Sequence, residues 1–130
     1  LYAIAIETLS PRDRAALADA RRISPELAAG GANRYALLDE AGMLTVFINE
    51  EDHIRIQAIA AGNDARSALR SAEDADLRLA RRLSYMTDEQ WGYLTASLSN
   101  VGTGLRLSVL AHLPALAFLG RLSETLKAFH

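Results

Sequence analysis

Three short apolar runs between residues 35 and 59 constrain the fold of this 130-residue chain more than any other feature. They cover residues 35–39, 44–49 and 53–59, and the first two are rich in β-branched or aromatic side chains. A short turn containing Gly42 joins the first two runs, which is the form of a β-hairpin. In the third run, apolar side chains alternate with polar ones, so that one face is apolar and the other polar. The sequence therefore predicts antiparallel strands.

Helix signals precede these strands. Ser10 is suited to the N-cap position and Pro11 to the first helical position, which together predict a helix over residues 10–22. A second start signal of the same kind at residues 23–27 predicts another short helical turn, which ends at Gly30.

The longest predicted helix follows the strands. Residues 64–83 carry leucine and alanine at helical spacing, with arginine and aspartate elsewhere around the helix. The elements expected after it are a strand over 91–96, a loop of small residues over 97–104, a strand over 105–112 and a helix from Pro114 onward. The fold class predicted is α+β, with an antiparallel β-sheet flanked by helices that cover one face.

Composition and charge limit the function classes. Half of the residues are apolar and the net charge is −2, which indicates one folded domain over residues 1–130 and excludes intrinsic disorder. No apolar run approaches the ~18 residues of a membrane helix, and the scattered arginines, balanced by acids, do not indicate nucleic acid as a partner.

The cysteine count bears on compartment and on metal chemistry. With no cysteine, the chain has neither disulfides nor thiolate ligands, which fits a reducing interior as well as a cysteine-free exported protein. His53, His112 and His130 lack the spacing of a metal site, so no metal bound by protein ligands is expected. The sequence begins with Leu1, without a start methionine or the basic flank of a signal peptide, so we expect that the chain begins inside a longer protein. We expect the cytoplasm as its location.

The first candidate functional segment is the acidic loop, residues 49–55. Glu50, Glu51 and Asp52 are adjacent carboxylates, and like charges this close repel one another unless a cation is bound. One reading is that the loop binds a cationic ligand. The alternative is a solvated acidic hairpin tip.

The second segment is the glycine loop, residues 97–106. Gly102 and Gly104 allow close approach of the backbone to a ligand, amides and hydroxyls can donate to phosphate oxygens, and Arg106 offers a bidentate guanidinium. A phosphate-binding loop is one interpretation. An ordinary glycine-rich turn is the other, because the loop is neither a Walker loop nor a dinucleotide fingerprint.

Read together with their flanks, the two loops resemble the ATP:guanido phosphotransferases, and among them the bacterial protein arginine kinases. The segments that carry the resemblance are Ile48-Asn49-Glu50-Glu51-Asp52-His53-Ile54-Arg55-Ile56-Gln57, Gly92-Tyr93-Leu94-Thr95-Ala96, Ser99-Asn100-Val101-Gly102-Thr103-Gly104-Leu105-Arg106 and His112-Leu113-Pro114-Ala115-Leu116. The resemblance implies part of a guanido kinase, glutamine synthetase-like catalytic domain.

The resemblance also implies an activity and its residues. The reaction is transfer of the γ-phosphoryl group of ATP, with Mg²⁺ held mainly by the nucleotide, to a guanidinium of a protein arginine. Glu51 is then the carboxylate that grips the guanidinium and orients or deprotonates its attacking nitrogen. The resemblance further implies that the nucleotide is bound by Arg55, Asn100, Gly102, Thr103 and Arg106.

The departures from the family pattern are equally informative. Ser97 stands where the family has its reactive cysteine, and Leu98 replaces the following proline. A serine hydroxyl does not ionise near neutral pH, so a thiolate contribution is lost and reduced turnover is expected from a catalytic Ser97. Arginine-bearing and carboxylate-bearing segments of active members have no counterpart here. Either the chain is a fragment of a larger enzyme, or the alternative function applies, which is a catalytically impaired binding or regulatory module. A third reading is a structural subunit whose site is completed by a second copy or by a missing partner domain.

Overall fold

A four-stranded antiparallel sheet forms the centre of the computed structural model, which describes residues 1–128. The strands are neighbours in chain order: β1 (Tyr2–Ala5), β2 (Tyr35–Leu38), β3 (Leu44–Ile48) and β4 (Ile54–Ala58). The strands predicted over residues 35–39, 44–49 and 53–59 are confirmed as β2 to β4. β1 was not predicted, because four residues carry too little pattern and the strand exists only through its pairing with β2, Tyr2 opposite Leu38.

Two short helices cover one face of the sheet. They are α1 (Pro11–Asp19) and α2 (Pro25–Ala28), and each has a serine N-cap. Ser10 Oγ accepts a hydrogen bond from Asp13 N at 3.1 Å, and Ser24 Oγ accepts one from Leu27 N at 3.0 Å. The buried residues of this layer form one cluster, namely Ile6, Ile23, Leu27, Ala36, Leu38 and Phe47.

The first helix is shorter than predicted. The sequence predicts it over residues 10–22, whereas α1 ends at Asp19 and the chain then turns at Arg21, which has a φ of 59°. This left-handed conformation cannot continue an α-helix, and it directs the chain back toward α2.

The long helix predicted over residues 64–83 is confirmed as α3 (Ala65–Ala80), which ends three residues before Leu83, and it lies on the other face of the sheet. Side chains alternate along a strand, so Leu37 and Val46 project opposite to their buried neighbours Ala36 and Phe47. Leu37 and Val46 line one cavity with the α3 residues Ser71, Ala75 and Leu79. The expectation that helices cover a single face is therefore corrected, since the sheet has helices on both faces.

The C-terminal part departs most from the prediction. The strand expected over 91–96 is reduced to β6 (Gly92–Tyr93), which pairs with the unpredicted β5 (Thr87–Asp88). The loop over 97–104 is confirmed and contains a 3₁₀ turn at Leu98–Asn100. The strand expected over 105–112 is wrong, because these residues are exposed and lie outside helices and strands. A segment of strand-forming residues becomes a strand only when another strand pairs with its backbone hydrogen-bonding groups.

The single terminal helix expected from Pro114 is instead two short helices. They are α4 (Pro114–Phe118) and α5 (Leu122–Lys127), separated at Gly120, whose φ is 67°. The end of that prediction, together with His130, lies outside the described residues. Within residues 1–128, no helix has the length and apolar character required to cross a membrane.

Candidate functional site

The acidic loop is a tight connection between β3 and β4. Asn49 adopts a left-handed conformation with φ of 57°, and its backbone N donates to the carbonyl of His53 at 3.0 Å. The Asn49 side-chain amide donates to the Asn33 carbonyl at 2.8 Å, which ties the loop to the segment before β2. Asparagine tolerates this backbone conformation better than most residues. The loop therefore has a fixed path at the end of the hairpin.

The three adjacent acids have different environments. The Glu50 side chain is 2% exposed, and each of its two carboxylate oxygens lies 3.1 Å from Arg55 Nη1. It also accepts a hydrogen bond from Ser24 Oγ. The Asp52 carboxylate accepts a hydrogen bond from Ala96 N at 2.7 Å. Glu51 is exposed. Repulsion among the acids is thus relieved within the protein at Glu50 and Asp52, and Glu51 is the acid presented to solvent.

Arg55 is oriented from two directions. It lies opposite Phe47 in the β3–β4 register, and its guanidinium carbon is 5.3 Å from the centroid of the Phe47 ring. Glu50 contacts the Nη1 end of the same guanidinium. With 45% of the side chain exposed, the other guanidinium nitrogens remain accessible to an anionic ligand. Stacking on an aromatic face together with a carboxylate contact restricts the rotamers of this arginine.

The two loops are joined by one hydrogen bond. Asp52 accepts this bond from the backbone of Ala96, the residue immediately before Ser97. The structure thus brings the loop that carries Glu51 next to the start of the glycine loop. Since the acceptor is a carboxylate, the bond is charge-assisted and stronger than one between neutral groups.

Backbone pairing with β6 holds the middle of the glycine loop. Tyr93 N donates to the Gly102 carbonyl at 2.8 Å, and Gly102 N donates to the Tyr93 carbonyl at 3.2 Å. Gly92 has a φ of 76°, and a Cβ at this position would lie 2.5 Å from the Gly102 carbonyl oxygen. Only glycine at position 92 allows this approach of the two backbone segments.

The polar side chains of the glycine loop contact one another locally. Ser97 Oγ and Ser99 Oγ are 2.8 Å apart, and Asn100 N donates to the Ser97 carbonyl at 3.0 Å. Thr103 Oγ1 accepts a hydrogen bond from Leu105 N at 3.3 Å. Gly102 and Asn100 are half-buried, whereas Thr103 is exposed.

Arg106 stands apart from this arrangement. It is exposed and belongs to the segment after the glycines that has no regular structure. Within the part of the chain that the structure describes, Arg106 forms no ion pair with an acid of the acidic loop. The structure therefore brings together the Glu51 and Ser97 loops and does not attach Arg106 to them.

Sequence reasoning missed two groups at this site. The sequence pattern identifies Ser24 only as a helix start and Glu50 only as one of three adjacent acids. The N-cap pattern gives no indication that the same hydroxyl also donates to Glu50, since that contact joins residues distant in sequence. The alternation of the third strand did place Arg55 on a polar face, from which a nearby acid could have been sought.

Tyr85 packs against the residue that anchors the glycine loop. Its ring meets the Tyr93 ring edge to face with centroids 5.9 Å apart, and its hydroxyl donates to the Asp76 backbone carbonyl at 3.5 Å. Burial is the main cause that raises the pKa of Tyr85 to about 12, and the nearby Asp76 carboxylate raises it further. In residues 1–128, no group of three or more His, Cys, Asp or Glu side chains is arranged to hold a metal ion.

Comparison with known proteins points to one family. Residues 1–130 match the sequence model of the ATP:guanido phosphotransferase C-terminal catalytic domain. The protein-arginine kinase of Shouchella clausii is 41% identical over 127 residues, which is 98% of this chain and 36% of that kinase. The protein-arginine kinase of an Exiguobacterium species is 46% identical over 114 residues, 88% of this chain and 33% of that kinase.

A solved structure shares the fold. The duplicated taurocyamine kinase from Schistosoma mansoni with bound transition state analog components superimposes with a TM-score of 0.74 at 28% identity, covering 89% of this chain and 18% of that one. The chain spans about a third of the length of the protein-arginine kinases it matches. Because the match extends over its whole length, the chain belongs to the ATP:guanido phosphotransferase family, within the C-terminal catalytic domain.

Proposed function

We propose that this domain transfers the γ-phosphoryl group of ATP to the guanidinium of an arginine side chain in a protein. One observation carries the proposal: an exposed carboxylate, Glu51, lies in a loop whose neighbours Glu50 and Asp52 are already bonded to Arg55 and to the glycine loop. A carboxylate for the cationic acceptor is thus adjacent to an arginine for the phosphates. The names of the similar kinases support protein arginine as the acceptor.

Each residue has a defined role in this proposal. Glu51 pairs with the guanidinium and orients the nitrogen that attacks the γ-phosphorus. The bond between γ-phosphorus and the bridging oxygen breaks, ADP leaves with that electron pair, and the proton of the nitrogen passes to the Glu51 carboxylate. Arg55 and Arg106 neutralise phosphate charge as it develops.

The glycine loop supplies neutral donors to the nucleotide. Asn100, Gly102 and Thr103 lie on a backbone path fixed by β6 and offer amide and hydroxyl donors of the kind that phosphate oxygens accept. Mg²⁺ enters the proposal as part of the nucleotide substrate, held mainly by the phosphates, and it neutralises charge on them. The cytoplasm is the proposed location.

The test is formation of phosphoarginine on a protein substrate by the natural full-length protein. Glu51→Gln keeps the shape of the side chain and removes the charge and the base, so we expect kcat to fall by about 100-fold or more. Glu40→Gln, an exposed acid at the tip of the β2–β3 hairpin, is the matched control and should match wild type. Equal rates for wild type and Glu51→Gln would exclude the proposed role of Glu51.

A second candidate function is a module that binds nucleotide or arginine without turnover. Ser97 favours it, because this hydroxyl occupies the position of the family's cysteine and is engaged with Ser99. Calorimetry with Mg-ATP separates the two functions, since binding without phosphoarginine formation indicates the module. Ser97→Cys restores an ionisable group, and a rise in kcat in this variant would show that Ser97 limits the reaction.

A further inference from the structure

We infer that Ser24 is a positioning residue for Arg55, and that it acts through the buried carboxylate of Glu50. The inference rests on the proposed function, in which Arg55 binds the nucleotide phosphates. Ser24 precedes α2, on the face of the sheet that also carries Arg55 and Phe47. It does not belong to either loop, so it extends the site into the helical layer beneath it.

The Ser24 hydroxyl has two hydrogen bonds with different consequences. Its oxygen accepts from Leu27 N at 3.0 Å, which caps α2, and its proton is donated to Glu50 Oε1. A hydroxyl has one donor and two acceptor positions, so both bonds can exist at the same time. Ser24 is only 7% exposed, and its position is therefore set by the packing of Ile23 and Leu27 in the core.

Glu50 transmits this position to Arg55. Its side chain is 2% exposed, and a carboxylate removed from water requires hydrogen-bond donors to compensate for its lost hydration. In this structure the donors are Ser24 Oγ and Arg55 Nη1. The serine fixes the carboxylate from the helix side, and the carboxylate then fixes one end of the guanidinium while Phe47 supports its face.

The consequence concerns affinity for nucleotide. Without the Ser24 hydroxyl, Glu50 keeps its charge and its arginine, but the carboxylate is free to rotate and the guanidinium with it. Ordering Arg55 then has to occur when the phosphates bind, and this entropy cost weakens binding. Because Ser24 is neutral and does not touch the ligand, its removal leaves the charge of the site unchanged.

The experiment is calorimetric measurement of the Kd for Mg-ATP on the natural full-length protein. We expect Ser24→Ala to raise this Kd by about tenfold, the effect of one hydrogen bond to a charged group. Ser24→Thr keeps the hydroxyl and the N-cap and should restore affinity toward that of wild type. Ser24→Gly retains most of the capping free energy without the hydroxyl, so it should resemble Ser24→Ala even if the alanine variant folds poorly.

A matched control separates positioning from helix stability. Ser10 caps α1 in the same way, with Asp13 N as its donor, but it has no contact with Glu50 or Arg55. Ser10→Ala should therefore leave the Kd for Mg-ATP unchanged. If Ser10→Ala raises the Kd for Mg-ATP as much as Ser24→Ala does, the role of Ser24 is overturned. It is also overturned if Ser24→Gly binds Mg-ATP as wild type does while Arg55→Ala binds it poorly. Neither result would contradict the proposed function. If wild type itself does not bind Mg-ATP, the proposed function fails and this inference fails with it.

Discussion

The acidic loop and the glycine loop are fixed in different ways. The acidic loop lies over the buried core at Phe47, and its charged side chains Glu50 and Asp52 already have partners. In the glycine loop the backbone is paired with β6, but Thr103 and Arg106 are exposed. In the acidic loop the side chains are held in place, whereas in the glycine loop the backbone is held in place and the arginine is exposed. Preset groups lower the entropy cost of binding, so the loops should respond differently to mutation.

The largest expected effect comes from the support of the acidic loop. Phe47 is 0% exposed, and Phe47→Ala should lower the free energy of unfolding by about 3–5 kcal/mol, as for other buried aromatic residues. Phe118 in the C-terminal part is 92% exposed, and Phe118→Ala should change it by less than about 0.5 kcal/mol. Denaturant unfolding of both variants measures the contrast. Similar losses in the two variants would show that the C-terminal part is as tightly packed as the core.

The backbone anchor of the glycine loop should be the next most sensitive position. Gly92→Ala places a Cβ against the Gly102 carbonyl oxygen and forces alanine into a left-handed conformation, which costs about 1–3 kcal/mol before the clash is relieved. Gly62 has a similar φ of 72° and no atom near the new Cβ. Gly62→Ala is therefore the matched control for backbone strain alone.

The measurement for this pair is thermal unfolding together with Mg-ATP binding. Gly92→Ala should weaken nucleotide binding more than Gly62→Ala, because only the first separates the glycine loop from β6. If both variants lose stability equally and bind Mg-ATP as wild type does, the close approach of Gly92 to Gly102 has no role in shaping the loop.

Much of the fold follows from local sequence, but its long-range parts do not. Ser10 and Ser24 each mark a helix start that the structure confirms, since capping involves residues three positions apart. By contrast, the strand predicted over 105–112 is wrong although the segment is rich in apolar residues. Strand formation depends on a partner, and a pattern within one segment carries no information about whether a partner is available.

The site shows the same division. Glu51, Arg55 and the glycine loop could be singled out from the family pattern, and the structure places the Glu51 and Ser97 loops side by side. The contacts of Ser24 with Glu50 and of Asp52 with Ala96 could not be predicted from the sequence, because these pairs are 26 and 44 positions apart. Burial of Glu50 was also hidden from sequence, since a glutamate among acids is ordinarily solvated.

The link between the two loops offers a more moderate test. Asp52→Ala removes the acceptor for Ala96 N, and at this exposed position we expect a loss of about 1 kcal/mol. Asp52→Asn keeps an oxygen acceptor and should recover part of the loss. Hydrogen exchange at the Ala96 amide is the direct measurement, with faster exchange in Asp52→Ala. Unchanged exchange at Ala96 would mean that the loops are not joined through this bond.

The smallest expected effect is a pH dependence at Tyr85, which supports the anchor of the glycine loop through Tyr93. The folded-state pKa is about 12, above the ordinary value of 10.0, so the folded protein holds this proton more tightly than the unfolded chain. Below about pH 10 the hydroxyl is protonated in both states and stability is unaffected; as the pH rises toward 12 stability is lost, because the unfolded chain ionises first. Stability of wild type should therefore fall more steeply than that of Tyr85→Phe over this window, as measured by denaturant unfolding at fixed pH.

Since the hydroxyl's bond to the Asp76 carbonyl is long at 3.5 Å, the two proteins should differ little at pH 7. Parallel curves between pH 10 and 12 would show that the Tyr85 hydroxyl is as well solvated in the folded protein as in the unfolded chain.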